Sequence, residues 1–343
     1  MVAAVVMVVA AVTIRSRIDE ARNSDGDARL VCSDELVSAC LALDDTTGGV
    51  DITIEPAGVT FARLTTLPDS ELADPGLDGW LVPDPWPAMV DSTRARSQLR
   101  PVFDRDTVAL ARSPLVIVAR DDRARVLRDG PCAGTVAWPC LGQVAGDPWD
   151  DLNGSASWGS VKIGHADPTA SATGLLVLAQ AASEFLGTTE YSRDDLAGDA
   201  FLAWLGRLED SAPPAPSPVE QMLQQFPTAV YDAVGDTEAD AGPRLAGAAR
   251  DRRDAFALLY PDPVATADLV LALTTTGERD DDIGDIGAGG SARAALASAG
   301  WRVDGQPAVT GVRARPRLPA TANLPTDPGV YIALQDAWRQ VTG

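Results

Sequence analysis

The 343-residue chain has a single histidine, His165, and a single lysine, Lys162, and these scarcities remove several chemistries at the outset. With one histidine and no C-x-x-C pair, a zinc ribbon or an H-E-x-x-H centre has no ligands. A Ser–His–Asp hydrolase would have to assemble around His165 from neighbours such as Asp167 and Ser171, without a G-x-S-x-G elbow to present the nucleophile. There is no Walker A loop for a nucleotide. Positive charge is scarce as well: 28 Lys and Arg face 49 Asp and Glu, a net charge of −21. No basic stripe exists to neutralise phosphates, so nucleic acid is excluded as a partner. Long apolar runs are also missing. The longest, Val2–Ile14, falls short of the ~20 residues that span a bilayer.

What is there belongs to a globular chain, with 45% hydrophobic and 22% charged residues. Val2–Ile14 lacks the basic n-region of a cleaved signal peptide and is followed by Arg15 and Arg17. We read residues 1–28 as an uncleaved or truncated signal-anchor and polar tether, with a short core helix as the alternative. The bias towards Ala, Asp, Gly and Arg reflects a GC-rich genome and carries no functional content.

Strand and helix signals then alternate. Ala28–Cys32 reads as a strand, and Ser33-Asp34-Glu35 opens a helix running to about Leu43. Val50–Glu55 alternates with period two, as a strand does. Asp78–Trp86 is a strand closed by prolines, followed by a helix over Ala88–Arg94. Ser113–Ala119 is a buried-strand run, and Thr135–Trp138 and Val161–Gly164 are short strands. A helix over Leu196–Leu208 precedes the Pro-rich loop Ser211–Pro218. Phe256–Pro261 returns as a strand, Ala265–Leu273 either extends it or starts a helix, and helices over Ala292–Ala299 and Tyr331–Val341 end the chain. Gly287–Ala292 fits G-x-G-x-x-G/A, but an acidic loop stands where a dinucleotide site needs a strand. The Asp280–Asp285 cluster lacks the order and closing Glu of a calcium loop. We therefore assign no cofactor and no metal.

The most informative stretch is Gly164-His165-Ala166-Asp167-Pro168-Thr169-Ala170-Ser171-Ala172-Thr173-Gly174, which leads into the apolar helix Leu175–Gly187. Pro168 disfavours helix at Asp167, so the chain arrives extended and turns. Ser171 or Thr173 can then cap the helix, whose free N–H groups and positive dipole end make an anion site.

This D-P-x-x-S-x-T-G entry resembles the second-lobe signature of type II bacterial extracellular solute-binding proteins. It is similar above all to actinobacterial modules often followed by a von Willebrand A domain, although Ala172 stands where a Gly is common. The resemblance covers roughly residues 29–343. It implies a two-lobed α/β fold of the periplasmic-binding-protein-like II class, each lobe a mixed sheet flanked by helices and joined to the other by two crossover strands. Lobe one would be 29–112 plus 258–343, and lobe two 113–257. The implied function is hinge closure on a small ligand, with oxyanions among the ligands of the family. Ligand-facing positions would be Ser33, Ser113, Ser171 and Thr173, with Asp84 and Tyr231 beside them. An ABC-transporter permease or a von Willebrand A domain protein would be the partner, and the setting extracytoplasmic and membrane-anchored. A protein-interaction module of the same fold, no longer serving transport, is the alternative, and a hydrolase around His165 a third reading.

Four cysteines permit three pairings. Cys32/Cys40 and Cys132/Cys140 are each eight apart, and two local bridges, one per lobe, are the simplest arrangement. Free buried cysteines are the other. An even count behind an apolar N-terminus favours an oxidising compartment.

Overall fold

The computed structural model describes residues 28–44, 50–104, 107–226, 230–275, 286, 289–304 and 321–343. Its frame is set by one long strand. Strand β1 (Ala28–Ser33) lies parallel to β2 (Val50–Glu55) on one side and to β3 (Gly79–Pro83) on the other. Strand β4 (Val108–Arg120) belongs to two sheets in turn. Its first half pairs antiparallel with β8 (Val264–Leu273), which also pairs with β3, giving the order β2-β1-β3-β8-β4. From Leu115 onward it pairs instead with β6 (Ala233–Thr237) and β7 (Phe256–Leu259), and β6 carries the short parallel strand β5 (Ile163–Gly164). The chain thus crosses from the first sheet to the second along β4 and returns through β7 and β8. Two mixed-sheet lobes result. The run Leu115–Ala119 is almost wholly buried, which is what a strand covered on both faces requires of its sequence.

Helices of seven or more residues are numbered in chain order. In lobe one α1 (Val37–Asp44), α2 (Ala57–Thr66) and α3 (Trp86–Arg96) follow their strands. Lobe two holds α4 (Asp121–Asp129), α5 (Trp138–Val144), α6 (Ala172–Leu186), α7 (Asp199–Asp210), α8 (Pro218–Gln224) and α9 (Glu238–Gly247). Then come α10 (Gly290–Ser298), which packs on α1, and the C-terminal α11 (Pro328–Thr342). Both local disulfides form: Cys32–Cys40 ties β1 to α1, and Cys132–Cys140 ties the segment after α4 to α5.

One expected strand does not form: Thr135–Ala137 are irregular and lead into a helix. Within Thr135–Trp138, Trp138 opens α5 because Pro139 sits in the first turn, where its missing N–H costs nothing. The Glu184 carboxylate of α6 accepts from Trp138 N at 2.9 Å and satisfies that helix end. The entry to α6 follows the sequence signals. Ser171 is its N-cap and accepts from Gly174 N at 3.0 Å, and Gly187 closes it with φ 69°.

The largest apolar cluster runs through both lobes. Trp80, Trp86 and Met89 come from lobe one, Trp138 and the face of α6 from lobe two, and Val330, Leu334 and Trp338 from α11. Helix α11 packs against α3 of lobe one and against α6 and α7 of lobe two, so it stitches the lobes together along one side. Among the described residues no helix is long and apolar enough to cross a membrane. The expected N-terminal anchor, the acidic cluster Asp280–Asp285 and part of the Gly287–Ala292 motif lie outside the described residues.

Candidate functional site

Parallel strands deliver their carboxyl ends to one edge of a sheet, and the crevice beyond that edge is where open α/β sheets hold ligands. In this chain β1 of lobe one and β6 of lobe two both end at such a crevice, and a cavity of about 370 Å³ lies there. Lobe one supplies Asp34 and Glu35, just past β1, and Pro56 before α2. Lobe two supplies the turn 166–171, the first turn of α6, the Pro-rich stretch 214–218, and Gly235, Asp236, Asp240 and Arg244 around the start of α9. The lining carries five carboxyl groups (Asp34, Glu35, Asp167, Asp236, Asp240) against one guanidinium. That guanidinium is already engaged: Arg244 donates to Asp240 at 2.7 Å and to Glu220 at 2.8 Å.

The start of α6, where the sequence suggested an anion, is met by a carboxylate of the chain itself. Glu35 Oε1 accepts from Ser171 Oγ at 2.6 Å and from Thr173 N at 3.1 Å, so a carboxylate of lobe one sits on a helix end of lobe two. Its second oxygen, Oε2, is shielded from solvent and has no hydrogen-bond partner. Burial, and after it the neighbouring Asp34 charge, push the Glu35 carboxyl up to about 7. Asp236 is 4% exposed, and its Oδ1 accepts from Thr237 N at 2.7 Å. Burial, followed by the charge of Asp240, raises it well above the usual carboxylate range. Asp167 braces the turn before α6 by accepting from both Thr169 N and Thr169 Oγ1 at 2.7 Å.

Two more bonds hold this side of the crevice. Gly58 N donates to Ala170 O at 3.0 Å, and Gln335 of α11 donates to Pro168 O at 2.9 Å. Gly58 is required at its position, since a Cβ there would lie 2.2 Å from Thr169 O.

Of the residues expected to face ligand, Ser171 and Thr173 line the cavity, and the other four do not. Ser33 is wholly buried at the end of β1. Ser113 is buried in β4 and accepts from Ala239 N at 2.9 Å, serving the first turn of α9. Asp84 is exposed at the end of β3, where its N–H donates to Asp268 O. Tyr231 is 1% exposed, packs its ring on Gly164, and donates its hydroxyl to Pro213 O at 2.6 Å. Glu35, Asp236, Asp240 and Arg244 also line the cavity and are not among the positions expected from the sequence. The signal available for two of them was an acidic residue placed just after, or at the end of, a strand.

His165 has no hydroxyl partner. Its Nδ1 faces Ala166 O and its Nε2 faces Glu209 Oε1, both at 2.7 Å, so both ring nitrogens meet acceptors. Trp338 Nε1 donates to the other Glu209 oxygen at 2.8 Å, which anchors α11 on lobe two. Burial alone would lower the imidazole, but the Glu209 charge and hydrogen bond, with Ala166 O, outweigh it and raise the group. Among the described residues no set of three or more His, Cys, Asp or Glu side chains is arranged to hold a metal ion.

No protein-family model matches the chain, and no curated protein matches it significantly. Solved structures do resemble it in fold. Iron-bound HitA from Pseudomonas aeruginosa superposes with a TM-score of 0.62 at 15% identity, over 92% of this chain and 100% of that one. Apo FutA2 from Synechocystis gives 0.60 at 14% identity, over 92% and 99%. A periplasmic thiamin binding protein gives 0.58 at 12% identity, over 92% and 96%. At such identities the likeness concerns architecture: the chain has the two-lobed, mixed-sheet fold of type II periplasmic binding proteins.

Proposed function

We propose that the chain is an extracytoplasmic solute-binding protein that holds a small molecule between its lobes. The observation that carries this reading is the cavity of about 370 Å³ walled by both lobes, at the carboxyl ends of β1 and β6. Its volume is in the range of small-ligand sites, roughly 300–1,000 Å³. The two disulfides suit an oxidising compartment. A ligand touching Asp34 or Glu35 on one side and the α6 turn or Asp236 on the other is bound better when the lobes are together, and that difference drives closure. In this reading the protein performs no covalent chemistry. Residues 1–27 tether it to the outer face of the membrane, and an ABC-type permease accepts its ligand.

The fold does not name the ligand. Structures that resemble it are described as iron-bound, as thiamin-binding and as bound to fructose-6-phosphate. A thermal-melt screen of the full chain, unreduced, against amines, amino acids, sugars, oxyanions and metal chelates tests the reading. A true ligand at about 100 times its Kd adds roughly 2.7 kcal/mol and a clear rise in Tm. A cooperative melt that no solute shifts overturns the proposal.

A second reading has its own observation. The lobes share one apolar cluster, and Glu35 already fills the helix end that a ligand would use. A chain held closed by itself suits a protein-interaction module, with a von Willebrand A domain protein as its partner. Calorimetric titration with such a domain separates the two readings.

A further inference from the structure

Resting on the solute-binding reading, we propose that the solute is a primary alkylammonium compound, its ammonium group held between Glu35 and Asp236 and its alkyl chain against the proline wall. Most of the donors that an anion would use at the start of α6 are already engaged. Ser171 Oγ and Thr173 N serve Glu35, Gly174 N serves Ser171 Oγ, and Leu175 N serves Ser171 O. Arg244, the one cation in the lining, is held by Asp240 and Glu220. What the cavity offers in excess is acceptors, five carboxyl groups against the engaged Arg244. Glu35 Oε2 is buried with no donor, and an orphaned buried carboxylate oxygen is costly until a donor reaches it. Asp236, from the end of the lobe-two strand, lines the same cavity.

The rest of the lining narrows the class. It contains no Trp, Tyr or Phe, so the aromatic box that recognises quaternary ammonium groups is missing. A primary ammonium has three N–H donors to offer carboxylates. A bare metal ion is disfavoured, because no group of three or more ligating side chains is assembled among the described residues. Pro56, Pro214, Pro216 and Pro218, with Ala166 and Ala170, give apolar walls for methylene groups. Every charged group facing Glu35 across the cavity (Asp34 beside it, Asp167 in the turn, Asp236 and Asp240 on lobe two) is acidic, apart from the engaged Arg244. Burial favours the protonated form of both Glu35 and Asp236, so an ammonium entering at neutral pH should displace protons into the buffer.

Isothermal titration of the full chain with putrescine, choline and inorganic phosphate tests this, run in two buffers of different ionisation enthalpy. The expected result is binding of putrescine with buffer-dependent heat, at least tenfold weaker binding of choline, and none of phosphate. Asp236→Asn and Glu35→Gln should each weaken putrescine by ~10- to 100-fold, the loss of one charged hydrogen bond. Cooperative melts of both variants confirm that they are folded. Preference for choline or phosphate, absence of putrescine binding, or unchanged affinity in both folded variants overturns the proposal. If putrescine fails while another solute of the melt screen binds, the ligand class falls and the solute-binding reading stands. If nothing binds, both fall.

Discussion

Glu35 gives the sharpest prediction, because its carboxyl is caught between two opposing effects. The α6 end and two hydrogen bonds favour its charged form, and burial with the Asp34 charge disfavours it. Burial wins, since the group moves from 4.5 to about 7. The folded chain then holds a proton that the unfolded chain has released across that window. The stabilisation is full below pH 4.5 and is lost as pH rises through about 7. A shift of this size corresponds to roughly 3–4 kcal/mol in full, of which about 2–3 kcal/mol falls between pH 5 and pH 8. Glu35→Gln removes the titration and keeps an acceptor for Ser171 and Thr173. It also places an NH₂ group where Oε2 lacks a partner, a penalty of ~1–3 kcal/mol that does not vary with pH. Urea denaturation of both proteins at pH 5 and pH 8 isolates the effect. Glu184, which burial also pushes up to about 7, and Asp236 are common to both and cancel in the difference. Relative to the wild type, the variant should gain roughly 2–3 kcal/mol between pH 5 and pH 8. A difference between the two proteins that stays constant refutes the reasoning.

His165 is the sole histidine, so its ring proton resonance is unambiguous, and its midpoint should lie above 6.5. Glu209→Gln should lower that midpoint and remove stabilisation that, in the wild type, is full below 6.5 and lost as pH rises through the raised value; NMR titration and melts at pH 6 and 9 read both. Arg94 is fully buried and donates to Arg100 O, Leu64 O, Leu67 O and Asp69 Oδ1, so Arg94→Met should destabilise by about 3 kcal/mol or more in urea, whereas exposed Arg100→Met should change it by less than ~1 kcal/mol. Gly58→Ala should leave helix content intact by circular dichroism but separate the lobes, seen as a larger radius of gyration in solution scattering, because its Cβ would meet Thr169 O at 2.2 Å.

The sequence showed most clearly what is decided locally. Pro168, Ser171 and Gly187 set the entry and end of α6 through turn and cap chemistry that needs no distant partner. The period-two run Val50–Glu55 and the apolar run at the centre of β4 were legible for the same reason. Helix α5 was not, because Val136 and Trp138 suggest a strand while Pro139, at a helix start, suggests nothing by itself. At the candidate site the α6 end was visible but its occupant was not. Glu35 is 136 residues from Ser171, and only the closing of two lobes brings them together. Tyr231 and Asp236 belong to one segment, and the fold sends the Tyr into the core against Gly164 and the Asp to the cavity. Ser113 lies on β4, which passes between the two sheets, and its hydroxyl serves the first turn of α9.

The central claim is that one ligand bridges both lobes at this cavity, and amide hydrogen exchange tests it most directly. The chain would be compared with and without the most stabilising solute of the melt screen. The account predicts slower exchange at three segments together, Asp34–Glu35, Ser171–Gly174 and Asp236–Asp240, which are far apart in sequence and meet at the cavity. Protection confined to one lobe, or centred elsewhere on the molecule, would contradict it.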